Sequence, residues 1–130
     1  MSDESYYIVR GAHMACECGT HRRRINLPQS HGAYVNGKPM LHEEDNKPDN
    51  IPYFGICFSE MNQSGETIYL ISEDGQKISG KPCMPRFMDK WLLAQETAQV
   101  DGKAALTTES FLVCDLMGKV YFLSTGQHED

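Results

Sequence analysis

Hydrophobic and polar residues alternate along this chain in short runs broken by turn-forming dipeptides, a pattern that predicts β-hairpins. Thr67-Ile68-Tyr69-Leu70-Ile71 precedes Asp74-Gly75 and Lys77-Ile78 follows it, so β-compatible residues flank a pair able to supply positive φ angles. Residues 111–114 and 120–123 form a second such pair turning near Gly118, and Asn36-Gly37 and Asp101-Gly102 mark two further tight turns. One stretch departs from this pattern. Pro85 suits the first turn of a helix, and Phe87, Met88, Trp91 and Leu92 then fall on one face, which predicts a short helix near 85–96 packed on the sheet. Residues 45–52, with two prolines and two asparagines, predict an irregular connection.

The hairpins are not independent of one another. Val35-Asn36-Gly37-Lys38 recurs as Val100-Asp101-Gly102-Lys103, and at the same offset of 65 Leu41 matches Leu106, Glu44 matches Glu109 and Cys18 matches Cys83. Each copy then reaches an aromatic followed three residues later by cysteine, Phe54 to Cys57 in the first and Phe111 to Cys114 in the second. A shared order of cysteine, hairpin and aromatic-x-x-cysteine predicts a single domain over 1–130 built from two related halves, roughly 11–65 and 76–127.

Length and composition narrow the function. The chain has 130 residues, enough for one modest core. With 12 Lys plus Arg against 18 Asp plus Glu its formal charge is -6, which counts against nucleic acid as a partner. Arg22-Arg23-Arg24 is the one basic run, suited to gripping phosphate or carboxylate but more ordinarily a solvated loop. The apolar runs are far too short to span a membrane, and the acidic first residues lack the pattern of a secretory signal peptide.

The chemistry-bearing residues are mostly cysteines: Cys16, Cys18, Cys57, Cys83 and Cys114. Two related halves bring two thiols each toward a common axis, an arrangement that suits tetrahedral, structural zinc. Buried reduced thiols acting as small hydrophobes are an equal reading, and disulfides become a third if the protein is exported. Only Cys16 and Cys18 are close in sequence, so this is not a zinc-ribbon spacing. His31 and His42 flank the first turn, and a neutral imidazole, His31 in particular, can replace one thiolate in such a site. The string His42-Glu43-Glu44-Asp45 invites a hydrolase reading, but it lacks a second histidine at metalloprotease spacing, and no nucleophile elbow or phosphate loop accompanies it.

Residues 31–45 resemble the hallmark of PAAR proteins, in which a His-Gly precedes a strand and a Gly-x-Pro hairpin leads into the name-giving tetrapeptide. His31-Gly32, Gly37-Lys38-Pro39 and Asp45 keep that spacing, whereas Met40, Leu41 and His42 replace Ala, Ala and Arg, and Glu44 stands where glycine is usual. The PAAR-like family is a closer match over nearly the whole chain. Its look is carried by Gly11-Ala12 with Cys16 and Gly19, Asn50-Ile51 with Phe54-Gly55-Ile56-Cys57, Pro82-Cys83-Met84-Pro85 with Trp91, Ala105-Leu106-Thr107, Cys114 and Gly126-Gln127.

This resemblance implies a mainly β, small cone-like fold of short hairpins with a non-enzymatic, mechanical role. Such a protein caps and sharpens the trimeric β-helical spike of a type VI secretion or related contractile injection machine and can recruit effector cargo. It also implies zinc near the apex held by His and Cys, assembly in the cytoplasm and export with the particle, and a flat apolar base, for which Tyr53, Phe54, Trp91 and Phe122 are the candidates. The alternatives are a zinc-stabilised adaptor or toxin-linked module outside any such machine and, further off, a small hydrolase using His42 or His31.

Overall fold

A computed structural model describes residues 6–83, 87, 89–114 and 118–127. The expected hairpins form, and every strand pairing is antiparallel. A four-stranded sheet is built from β1 (His13–Cys16), β2 (Arg23–Arg24), β9 (Phe111–Val113) and β10 (Lys119–Phe122), in the order β2-β1-β10-β9. Three separate two-stranded hairpins complete the architecture: β3 (Tyr34–Val35) with β4 (Lys38–Pro39), β5 (Ile68–Ile71) with β6 (Lys77–Gly80), and β7 (Gln95–Val100) with β8 (Lys103–Ala105). Chain ends meet in the large sheet, because β1 at the start pairs with β10 at the end, Met14 opposite Phe122 and Cys16 opposite Val120.

Turn chemistry explains two hairpins directly. Asn36 and Gly37 have φ of 52° and 77°, Asp101 and Gly102 have 52° and 81°, so both connections place two consecutive residues in the left-handed region that matches strand twist. The third turn differs from its dipeptide signal. Between Ile71 and Lys77 the chain uses a wider loop in which the Ser72 amide donates to the Gln76 carbonyl and the Gly75 amide to the Ser72 carbonyl.

The helix expected near 85–96 does not form among the described residues. Pro85 and Met88 lie outside them. Phe87 instead bridges Cys114, Leu92 exchanges both backbone hydrogen bonds with Phe111 (2.8 and 3.2 Å), and 95–100 is strand β7. The physical reason is competition for the backbone. The amide of Trp91 donates to the Glu43 carbonyl and that of Leu92 to Phe111, leaving neither for an i to i−4 bond, and Leu93 takes a φ of 58°.

The offset of 65 seen in the sequence recurs in the hydrogen bonds. The amide of His42 donates to Asp45 Oδ2 and that of Asp45 to the His42 carbonyl, while the amide of Thr107 donates to Ser110 Oγ and that of Ser110 to the Thr107 carbonyl. Glu44 N–H donates to His42 Nδ1 just as Glu109 N–H donates to Thr107 Oγ1. Leu41 and Leu106, each fully buried, meet directly: Leu106 N–H donates to Leu41, Leu41 N–H to Ile8, and Ile8 N–H to Leu106.

One core unites the halves, with Ile8, Met14, Ile25, Leu41, Phe54, Trp91, Leu106, Leu112 and Val120 all buried within it. Trp91 stacks on Phe122 with ring centroids 4.7 Å apart. Of the aromatics expected at an apolar base, Phe54, Trp91 and Phe122 are therefore core residues and only Tyr53, 56% exposed, reaches solvent. No helix of the described residues is long and apolar enough to cross a membrane.

Candidate functional site

Two polar groups stand out, and they are separate. The first gathers on the turn after β4, where the backbone bonds of 42–45 hold the Asp45 carboxylate inward. His31, arriving from the loop before β3, places Nε2 3.1 and 3.0 Å from the two carboxylate oxygens of Asp45. Its ring stacks on that of His42 at a centroid distance of 4.1 Å. The indole Nε1 of Trp91 donates to the Asp45 carbonyl at 3.0 Å, which ties this group to the core. Side-chain exposure is 8% for both His42 and Asp45 and 19% for His31, so the carboxylate is compensated by donors away from bulk water.

Proton positions follow from the partners. His42 Nδ1 accepts the Glu44 amide, so in the neutral ring Nε2 carries the proton. The 3.6 Å between His42 Nδ1 and Asp45 Oδ2 is then a contact between two acceptors rather than a hydrogen bond. Burial lowers the pKa of His42 from its ordinary value of 6.5, with the Asp45 charge opposing the change and His31 adding to it. His31 donates Nε2–H to Asp45. The arrangement is a brace: each polar atom that faces the carboxylate, apart from His42 Nδ1, is a donor to it.

Among the described residues, His31, His42 and Asp45 are the only group of three or more that brings metal-ligating atoms within 4.8 Å of one another. Its geometry suits hydrogen bonding better than chelation. Imidazole ligands bind a metal in the ring plane, and two rings stacked 19° from parallel do not aim both lone pairs at one point. Thr107, Ser110 and Glu96 stand at the positions of His42, Asp45 and His31 in the second half, so the histidines occur in only one of the two related halves.

The second group is the cysteines. Cys16, Cys57, Cys83 and Cys114 are buried and Cys18 is partly exposed. Cys16, at the end of β1, has the Cys83 thiol and the amides of Cys18 and Gly19 as donors close to its sulfur, and the Gly19 amide donates to its carbonyl at 3.0 Å. These donors, Cys83 first, lower its pKa from 9.0 to about 7 against the opposing effect of burial. The same contact and its own burial raise the pKa of Cys83. Cys18 is raised chiefly by desolvation, with Cys16, Cys57 and Cys114 adding to it. Gly118 completes this wall of the cluster: a Cβ there would stand 3.1 Å from Cys16 Sγ and 3.3 Å from Cys18 Sγ. His31 belongs to the other group, bonded to Asp45, and does not join the thiols.

The basic run is divided by the fold. Arg22 pairs with Glu73 through both its amide (2.7 Å) and Nε (3.2 Å), Arg23 Nε donates to the Tyr53 carbonyl, and Arg23–Arg24 form β2. The His31 to Asp45 pairing was not evident from spacing, although the offset of 65 that aligns Asp45 with Ser110 marks both as turn-capping oxygens.

These features define an all-β protein of small antiparallel hairpins whose two halves share a capped turn and whose core holds four thiols. The family model described as "Domain of unknown function (DUF4280)" matches residues 8–127, and the chain belongs to that family. No curated protein and no solved structure matches it.

Proposed function

We propose that this protein is a non-enzymatic tip that caps and sharpens the trimeric β-helical spike of a contractile injection or type VI-like secretion machine. The observation that carries the reading is the stiffness built into a small fold. Both halves use two-residue left-handed turns, both repeat the same capped turn, and β1 and β10 join the two ends of the chain. A tip must resist force in one piece, and a cross-tied chain whose buried carboxylate is held by His31, the His42 amide and the Asp45 turn is suited to that. The resemblance of residues 31–45 and of the cysteine framework to PAAR-like proteins supplies the partner. Cargo recruitment and export with the particle belong to the same reading.

A structural zinc is part of the proposal, with the thiols as its donors; as they stand no three of them lie within 4.8 Å of one another, so binding the ion would have to draw them together. Thiolates are zinc's preferred structural ligands, and Cys16 already sits as an acceptor among three donors beside Cys83. Cys16 and Cys83, with two of Cys18, Cys57 and Cys114, are the residues that would hold the ion. It would supply a cross-link between the halves, adding stability that a core of this size gains little of otherwise.

The test is co-expression of the chain with the spike proteins encoded in its own genome, followed by size-exclusion chromatography with light scattering. One copy of this chain per spike trimer is the expected stoichiometry. Failure to associate with any of them, with the chain folded and soluble, overturns the reading.

A further inference from the structure

The turn after β1 folds two cysteines toward each other. Cys16 ends β1, and the Gly19 amide donates to the Cys16 carbonyl at 3.0 Å, so Glu17 and Cys18 are the central residues of a tight turn. In an extended strand residues two apart are separated by about 6.6 Å, and a turn shortens that reach. Glu17 fastens this turn to β10: its amide donates to the Lys119 carbonyl at 3.1 Å, and its Oε1 accepts the Lys119 amide at 2.9 Å. Those two bonds set Gly118 against the turn. A Cβ at Gly118 would stand 3.1 Å from Cys16 Sγ and 3.3 Å from Cys18 Sγ, so the two sulfurs border one space and are no farther apart than those distances together allow.

The φ of Gly118 is not positive, so the backbone there admits any residue, and glycine is needed for the room beside the sulfurs. The two thiols differ in access. Cys16 is 7% exposed, whereas Cys18 is the one cysteine of the five that is partly open to solvent. The other thiols are placed less well for reaction with Cys18. Cys57 bridges Gly19 rather than Cys18, and Cys83, whose amide donates to the Gly55 carbonyl, is 1% exposed on the far side of Cys16 from solvent access. We propose that Cys16-Glu17-Cys18 is a redox site that a small-molecule disulfide converts, by way of Cys18, into a Cys16–Cys18 bond.

The exchange balances in two steps. The Cys18 thiol gives its proton to solvent and its sulfur attacks one sulfur of the reagent, whose S–S bond breaks and releases one thiolate. The Cys16 sulfur, deprotonated in turn, attacks Cys18 Sγ and expels the second thiolate. Two protein thiols are oxidised, the reagent is reduced to two thiols, and the protons lost by the cysteines equal those the released thiolates take up. Only Cys18 has to meet the reagent, so the burial of Cys16 does not obstruct the reaction. The bond uses thiols that are also the donors proposed for zinc, so it forms on the metal-free cluster, and it does not depend on the spike reading.

The experiment adds oxidised glutathione to the folded, reduced full chain with a chelator present to take up any zinc, at about pH 8.5 because desolvation raises the Cys18 pKa. Samples are quenched in acid, denatured, alkylated and mapped by mass spectrometry. One disulfide is expected, within the peptide that carries Cys16 and Cys18, with Cys57, Cys83 and Cys114 all alkylated. Cys16→Ser is expected to stop at the mixed disulfide between Cys18 and glutathione, and Cys18→Ser to slow the loss of thiols by at least about tenfold. If Cys16→Ser does not keep its native circular dichroism, Cys18→Ser, changed at the partly exposed position, and the peptide map of the parent decide the question. The proposal is overturned if another pair of cysteines joins first, if no protein disulfide forms in the folded chain, if folded Cys16→Ser forms an internal disulfide as fast as the parent, or if Cys18→Ser oxidises at the parent's rate.

Discussion

The side chains of Asp45 and Ser110, 65 positions apart, do the same job: each accepts the amide hydrogen of the residue three before it, His42 at 2.8 Å and Thr107 at 3.0 Å. One uses a charged oxygen and the other a neutral one. The difference lies in what surrounds them, since Asp45 also receives His31 whereas Ser110 Oγ donates onward to the Leu93 carbonyl at 3.3 Å.

Replacing either oxygen leaves a buried amide without its acceptor, but the two losses are unequal. Asp45→Ala is expected to cost about 2–4 kcal/mol, because it removes a charge-assisted acceptor and releases His31 as well, and Ser110→Ala about 1–2 kcal/mol. Asp45→Ser, which imports the residue of the second half, is expected to recover part of the loss. Urea denaturation midpoints at neutral pH measure all three, and equal effects from Asp45→Ala and Ser110→Ala would contradict this account of the brace.

His42 makes stability depend on pH. Its native pKa lies below the ordinary 6.5 because burial disfavours the imidazolium. Between those two values the unfolded chain binds a proton that the native chain does not, so stability rises with pH across that window. The contribution is complete above about pH 6.5 and is lost as the pH falls toward the native value. Denaturation midpoints taken from pH 7.5 downward are expected to drop more steeply for the parent than for His42→Gln, and parallel profiles would show that this imidazole is not the group responsible.

Gly37 and Gly102 should respond alike. A Cβ at either position meets nothing within 4 Å, so the cost of Gly37→Ala or Gly102→Ala is conformational rather than steric. Each is expected to lower stability by about 1 kcal/mol through its φ of 77° or 81°. Thermal unfolding of the two variants checks this. A much larger effect in one would mean that its hairpin carries a contact beyond the turn.

The thiol cluster yields to elemental analysis. Protein purified without a histidine tag is expected to carry about one zinc per chain, as a four-thiolate structural site would. Cys16→Ser and Cys83→Ser are each expected to lose it, whereas His31→Gln keeps it. In the metal-free native protein Cys18, the one partly exposed thiol, should react first with an alkylating reagent, and the four buried thiols only on unfolding. Absence of metal together with this labelling order would leave the thiols as core residues and remove zinc from the proposed function.

Much of the fold is legible from short stretches of sequence because turn dihedrals and side-chain alternation are local properties. Asn36-Gly37 and Asp101-Gly102 adopt the turns their residue types favour, and the pairing of 111–113 with 119–122 follows from alternation across Gly118. The spacing of Phe87, Met88, Trp91 and Leu92 misled for a reason of the same kind. A helical face and an extended segment packed on a neighbour can share that apolar pattern, and the presence of Phe111 as a backbone partner for Leu92 is not a local fact.

By itself the sequence determined a β-hairpin protein with an internal spacing of 65 and five thiols, since those follow from residue type and order. Tertiary structure alone decided that His31 meets Asp45 rather than the cysteines and that the Cys83 thiol lies beside Cys16. Each of these contacts joins segments separated by a loop or by half the chain. Such proximity is set by how the whole backbone closes, which no window of local propensity contains.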